Sequence, residues 1–500
     1  MSASAPAPQP PSTVAGQLAT LTAEVLPAQR TALLGLAETW AYLGALGALV
    51  LLSVPTLGED GWPFRPPSVE PEGALAPLVR AAREEWNPGL LRSAALFGGF
   101  LVAVYAVIAL AAQARRRLPL VLVTTTVLGL LVLPGVLLQA GLRDATAPWF
   151  FTNDSTYQIE LAGDLVADGE TPYGHDYGES GLERFYSLKG VPRPSHVAVE
   201  HFAYFPGTAL AASAWNVLPS PWDDFRLFVA LTTLGTFLAV LLFRAPLLWR
   251  LAAGTLLVAN PLAVRGAWFG TADAPGLLLL VLAFALASRS RYTAGAAALA
   301  GAVLFKQFAL VAIPFFAVFV LLDAERRVVY RAGGAFAGVL VAGIAPFVAA
   351  DPAAFWADTV RYGVETYNIL GFGLAGLLLR IGVIEDRAGA YPFFLLALLI
   401  WLPATILLVR AQWRSRETWL GPAGFALSIF LLVFIGRVFH PSYLVWPLTG
   451  LVVAALMALA ARAPAPQRPT PLPARDVMRG LARGGRRRSA RREAGGRPGQ

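Results

Sequence analysis

Residues 119–157 read PLVLVTTTVLGLLVLPGVLLQAGLRDATAPWFFTNDSTY. The first part, Pro119–Ala140, approaches the roughly twenty apolar residues that a helix needs to cross a bilayer. An aromatic exit, Trp149-Phe150-Phe151, follows, and then the polar run Thr152-Asn153-Asp154-Ser155-Thr156-Tyr157. This junction opens a long insert, Arg143 to Tyr204 (142–204 with its first flanking residue), unlike the rest of the chain. It holds ten Asp/Glu against four Lys/Arg, and three of the four histidines. Apolar stretches bound it on both sides. Loops between spans are usually short, so a long one with its own composition more often carries function than connects.

Outward from that junction, the 500 residues are 56% hydrophobic and 14% charged, with mean hydropathy +0.58. Such a composition belongs to polytopic membrane proteins. The absence of cysteine excludes disulfides, Cys-ligated metals and thiol nucleophiles. The segment 1–38 is rich in Ala, Pro, Ser and Thr; it reads as disordered and shows no cleavable signal peptide. The net charge of +9 is local: residues 462–500 hold eleven Arg, one Asp and one Glu, so the remainder is neutral. That tail is expected to be disordered, cytoplasmic and drawn to anionic lipid headgroups, with nucleic acid not expected as a partner.

Basic clusters set the topology through the positive-inside rule. Arg115–Arg117, Arg244 with Arg250, Arg289 with Arg291, Arg326-Arg327 with Arg331, and Arg410 with Arg414 and Arg416 are expected on the cytoplasmic side. About twelve spans within a transmembrane domain 39–461 satisfy them: 40–55, 93–112, 119–141, 223–243, 250–264, 275–288, 293–305, 308–322, 333–350, 391–410, 418–436 and 442–461. The expected fold is all-α and polytopic, in the cell membrane, with both termini cytoplasmic and the insert extracytoplasmic. Phe205–Leu218 and Ile369–Ile381 do not fit as crossings and read as helices at the outer surface. The polar groups then converge on one face.

Asp154 is the candidate for chemistry. A carboxylate at the rim of the hydrocarbon sits in reduced dielectric, which suits it to accept a proton. Equally, Asn153 or Asp154 could simply cap the helix that follows. The wider pattern is Asp154-x-x-Tyr157, an Ala/Leu-rich helix, Gly169-Glu170-Thr171-Pro172-Tyr173, and Phe202-Ala203-Tyr204-Phe205-Pro206. It resembles the first periplasmic loop of the C-fold membrane glycosyltransferases, closest to the family 87 polyprenyl-phosphate-mannose-dependent mannosyltransferases. Asn260-Pro261, the Gly270–Asp273 loop, Phe305-Lys306-Gln307 and Phe439–Tyr443 fall where related enzymes have similar elements. One proline of the family's Tyr-Pro-Pro step is Phe205 here, and the Gly-Gln-x-Asn loop is absent.

The resemblance implies a sugar, mannose first, on a polyprenyl-phosphate donor, a lipid- or glycan-type acceptor, no cofactor, and Asp154 as catalytic base. Lys306 is one of two lysines against 38 arginines. A cation in the apolar stretch Ala296–Phe319 costs about 2.5–3.5 kcal/mol on insertion scales, so it either snorkels to the interface or meets a lipid-linked phosphate as counter-charge. Arg265 and Arg437 suit phosphate clamps or interfacial anchors. His440 suits a phosphate or a sugar hydroxyl, or a structural place. Tyr157, Tyr173, Tyr204 and Asp273 are the expected substrate contacts, although interfacial aromatic belts place tyrosines without any ligand.

His175, His196 and His201 match no metal-ligand spacing, so no metal is expected. Glu160 and Asp164 read as solvated helix surface. A secondary transporter or lipid flippase fits twelve spans equally well. Transporters, however, gather ionisable residues near mid-membrane, commonly in repeated halves. A non-catalytic envelope scaffold is a third class.

Overall fold

The computed structural model describes residues 38–53, 70–84, 89–112, 117–149, 152–186 and 196–462. The segment expected to precede the first span and the Arg-rich tail lie outside them. The fold is all-α, and its two strands are two residues each. Among the described residues, Pro119–Asp144, Arg326–Ala350, Phe393–Ser415 and Pro441–Ala461 are long and apolar enough to cross a membrane. The pair Leu247–Ala259 and Pro261–Phe269, bent by 51°, makes a fifth if it is one span. The other stretches expected as spans hold apolar helices of 10–17 residues. By length and composition, the described residues thus show four helices able to cross, or five if the bent pair is one span.

The shortening has local causes. Pro261 carries no amide hydrogen to continue the ladder of the preceding helix. Asn260 seals the break from both sides: its Nδ2 donates to the Leu256 and Leu257 carbonyls at 2.8 and 3.0 Å, and its Oδ1 accepts from Ala263 N at 3.0 Å. Lys306 is extended (φ −151°, ψ 126°) between Tyr292–Phe305 and the 3-10 turn Gln307–Ala312. Polar residues thus interrupt apolar runs that composition alone reads as continuous. Phe205–Leu218 holds the short helix Gly207–Trp215, and Ile369–Ile381 holds the strand Leu370–Gly371 and the short helix Leu374–Arg380.

Two apolar cores run through the helical body, and a third is shared between the insert (Ile159, Tyr173, Phe202) and the body (Phe225, Val229, Phe347). The insert's helix, α1 (Asp154–Ala167), docks by its start onto the end of α2 (Pro261–Phe269). Asn153 Nδ2 donates to the Phe269 carbonyl, and the Thr156 hydroxyl lies 2.9 and 2.7 Å from the Phe269 and Gly270 carbonyl oxygens. Gly270 is left-handed (φ +74°), and a Cβ there would meet Thr156 Oγ1 and Arg226 Cγ at 2.5 Å. The approach therefore requires glycine.

A buried ion network fastens the same helix to the body. Arg143 holds both oxygens of Glu160, at 2.8 and 2.5 Å, and reaches Asp224 at 3.4 Å, while Arg226 pairs with Asp224. Glu160 is therefore not solvated surface. Its bidentate partner lies seventeen residues away, and burial in that geometry demands the pairing. Asp164 is exposed and accepts from Asn216 at 2.7 Å.

Candidate active site

A cavity of about 1070 Å³ lies where the insert, the α2 end and the Lys306 break meet. Asp154, Tyr204, Arg265, Asp273, Lys306, Arg437 and His440 line it. Seven of the nine residues singled out from sequence, spread over nearly three hundred positions, thus share one space. Tyr157 and Tyr173 do not. The Tyr157 hydroxyl donates to the Ser180 carbonyl at 2.7 Å, and that of Tyr173 donates to the Tyr204 carbonyl at 2.9 Å. The Tyr173 ring stands edge-on to Phe202, Phe347 and Phe355. Both are 5% exposed or less, so they build the insert's core and do not contact a substrate in this cavity.

At the start of α1, Asn153 takes the cap. Its Oδ1 accepts from Thr156 N at 2.8 Å and from the Ser155 hydroxyl at 2.7 Å. Capping is therefore already supplied, and the Asp154 carboxylate points to other partners. Its Oδ2 accepts from the Tyr186 hydroxyl at 2.9 Å, and its Oδ1 from Ser155 N at 2.8 Å. Tyr204, Tyr362, Tyr367 and Tyr443 share the cavity with it. Burial, and then the nearby Asp154 charge, push the Tyr186 and Tyr204 phenols well above their ordinary value. Burial does the same for Tyr362 and Tyr367. A raised phenol stays neutral, and that of Tyr186 is the one that donates to the carboxylate.

Lys306 has a counter-charge within the protein. Its Nζ lies 3.8 Å from Asp273 Oδ1, with a side chain 12% exposed. The rings of Tyr204, Phe308 and Tyr443 stand 4.9, 5.5 and 5.8 Å from it. Cation and aromatic faces attract through the ring quadrupole, so the ammonium is held in place within apolar surroundings. Asp273 is fixed in turn by the Trp446 indole N–H, at 2.8 Å.

Arg437 faces the cavity, yet its donors are occupied. Nε donates to the Tyr367 carbonyl, Nη1 to Gly389 O at 2.8 Å and Nη2 to Arg387 O at 3.3 Å. Three of its five N–H groups hold the wall of the cavity, so a fork left open to clamp a phosphate is not what the geometry provides. Arg265 is exposed and lies over Phe269, 5.4 Å from the ring centroid. His440 stands at the rim, exposed, its ring 6.2 Å from that of Tyr443.

Sequence reasoning passes over Asp358, Tyr362 and Tyr367 and gives Gln307 no role of its own, yet all four line the cavity. Asp358 accepts from Gly174 N at 2.9 Å and Phe202 N at 3.3 Å, and lies 2.6 Å from His201 Nδ1. Gln307 donates to Ala203 O at 2.7 Å and Thr359 O at 3.3 Å. Both clasp the insert to the segment Ala357–Thr366. The available signal is the polar stretch 351–368, whose Asp358 meets the insert only once the chain has folded. The histidines are engaged locally: His196 caps Val197–Val199 and stacks on Tyr186 at 4.1 Å, and His175 packs edge-on to Tyr177.

Away from the polar end, the cavity becomes apolar. Trp401, Leu402, Thr405, Ile406 and Val409 present one helical face opposite Leu310, Val311 and Pro314. At about 1.5 Å per residue this arm follows the helix for roughly 13 Å from Trp401 to Arg410. One space thus joins a carboxylate in a ring of phenols, a fixed ammonium and a long apolar groove. No protein-family model, no curated protein and no solved structure matches the chain.

Proposed function

We propose that this chain is an integral membrane glycosyltransferase of the C-fold type. It moves a sugar, mannose by resemblance, from a polyprenyl phosphate to a hydroxyl of a lipid- or glycan-type acceptor on the extracytoplasmic side. The observation that carries the reading is the single cavity in which Asp154 and Lys306 share walls with an apolar arm. A polyprenyl phosphate has that same division, a charged head on a long hydrocarbon chain. The twelve-crossing topology, with both termini cytoplasmic, belongs to this proposal.

In the reaction, the acceptor oxygen attacks the anomeric carbon and its proton passes to Asp154. The bond from that carbon to the phosphate oxygen breaks, and polyprenyl phosphate leaves with the electron pair. Displacement in one step inverts the anomeric centre. Charge grows on the leaving phosphate, so a cation already fixed beside it favours the transition state over the ground state. Lys306 supplies that cation, with His440 and Arg265 at the rim; Arg437 shapes the wall. Tyr186 holds the Asp154 carboxylate in orientation.

The test is transfer of labelled sugar from a synthetic polyprenyl-phosphate donor to a lipid acceptor by the purified chain in detergent, where there are no compartments to transport between. Product is expected. If no donor of this class is consumed and sealed vesicles instead accumulate a solute, the chain is a transporter.

A further inference from the structure

The segment Ala357–Thr366 winds as a π-helix ten residues long. Such helices are rare, usually a single turn, and concentrate at functional sites. This one forms a wall of the main cavity, which Asp358, Thr359, Val360, Tyr362, Gly363 and Val364 line. Among the described residues, every hydrogen bond that joins this wall directly to the insert ends on Asp358, whose side chain is 2% exposed. Two of those bonds come from the backbone amides of Gly174 and Phe202, which do not titrate. The third, at 2.6 Å, comes from Nδ1 of His201, whose side chain is 20% exposed and so open to protons from solution. His201 touches the wall twice, since its ring also stands 4.8 Å from that of Tyr362.

A carboxylate offers only acceptors, so neutral His201 carries its hydrogen on Nδ1, and the proton it gains goes to Nε2. The contact with Asp358 then becomes an ion pair, whose hydrogen bond is roughly twice as strong as a neutral one. Nothing else at this contact changes charge in the histidine range of about pH 5 to 8. Among the described residues no lysine or arginine pairs with either group, and Arg361, in the same segment, pairs with Glu365 at 2.9 Å on the exposed side. Glu200, beside His201 in the chain, is exposed. Burial first, and then nearby charges including that of Asp358, push the Tyr173 and Tyr177 phenols well above their ordinary value, so they stay neutral. We propose that His201 and Asp358 form a proton-operated clasp, and that Asp358 is a positioning residue for the polar end of the cavity. With His201 protonated, the wall is drawn to the insert and Tyr362 is held within reach of the Asp154 charge. As pH rises and the imidazolium is lost, the wall loosens and the polar end widens. The clasp stands on these contacts alone; its effect on transfer rests on the glycosyltransferase reading.

The experiment uses the full chain in nanodiscs, with spin labels on Glu170→Cys in the insert and Thr366→Cys at the end of the wall, both exposed positions. Double electron–electron resonance gives the distance distribution between them at about pH 5.5 and about pH 8. The distribution should be narrow at the lower pH and broader at the higher. His201→Gln keeps a hydrogen-bond donor without the titration, and Asp358→Asn keeps an acceptor for the two amides without the charge. In both variants the distribution should no longer change with pH. A distribution that is the same at both values with His201 and Asp358 intact overturns the proposal, and so does a change that persists in His201→Gln. Transfer is measured second. The donor KM should rise by about threefold to tenfold between the two values and become independent of pH in His201→Gln, while kcat follows the same pH profile in both chains. A KM profile unchanged in His201→Gln overturns the positioning role. If no polyprenyl-phosphate donor is consumed, the reaction reading fails, and the labelled pair still decides whether the clasp exists.

Discussion

Lys306 Nζ stands 3.8 Å from Asp273 Oδ1, so the cation proposed to meet the donor phosphate already has a carboxylate beside it. An incoming phosphate must compete with that partner, and the leaving phosphate is displaced by it.

Lys306→Met is expected to lower transfer by about a hundredfold, through loss of fixed positive charge at the leaving group. The single change also leaves the Asp273 carboxylate unpaired, which destabilises the site by itself. The double variant Lys306→Met/Asp273→Asn separates these effects. It should regain stability without regaining transfer, as read by thermal unfolding beside the activity assay. Asp273→Asn alone keeps an acceptor for Trp446 and removes the competitor, so it should lower the donor KM by about threefold to tenfold. A donor KM that does not fall would show that Asp273 does not compete for Lys306.

Asp154→Asn keeps the side chain's size and can still accept from Tyr186. Transfer by the purified variant should fall by about 10²-fold or more, while Asp164→Asn, on an exposed turn of the same helix, should stay near the wild-type rate. Tyr186→Phe removes the 2.9 Å contact alone and should lower kcat by about tenfold with the donor KM little changed. Full activity in Asp154→Asn would remove this carboxylate from the mechanism.

Arg143→Ala strips Glu160 of its bidentate partner inside the protein. Removing one member of a buried pair costs about 3–5 kcal/mol, so the variant should unfold at a distinctly lower temperature in detergent. Arg143→Met/Glu160→Leu should recover much of that loss, since Glu160 is then no longer a buried charge without its partner and Asp224 keeps Arg226. If the double variant is no more stable than the single one, desolvation is not the cause.

The natural chain has no cysteine, which makes single-cysteine labelling direct. Glu170→Cys, on the insert, and Arg414→Cys, in the last turn of the Phe393–Ser415 helix, are both exposed positions. In intact cells a membrane-impermeant maleimide should label the first and not the second. The reverse pattern would put the cavity on the cytoplasmic side and end the proposed donor chemistry.

Much of the helical body was legible because its apolar runs are bounded by arginine clusters, two features that depend only on local composition. Helix lengths were not, since the breaks at Asn260 and Lys306 are single residues whose effect is decided by what surrounds them. Seven of nine candidate site residues share the cavity, because polar residues that interrupt apolar runs, such as Lys306 and Asp273, have few other places to go. Tyr157 and Tyr173 do not line the cavity for a physical reason: they enter a core that the insert shares with the body, and aromatic content does not tell an inner face from an outer one. Glu160 reads as a surface acid until Arg143, a helix away, closes on it. Nothing near Gly371 explains that glycine, because the carbonyl that excludes a side chain belongs to Phe439.

Asn260 terminates one helix and starts the next with a single side chain. A corner closed in this way has no loose donor or acceptor to exchange, so the 51° elbow behaves as a bracket and not as a hinge. Arg265 and the turn leading to Asp273 are carried on its outer limb. Whatever yields to admit a substrate must therefore lie across from it, and replacing Asn260 by alanine would show first as lost stiffness around Asp273 while both helices still form.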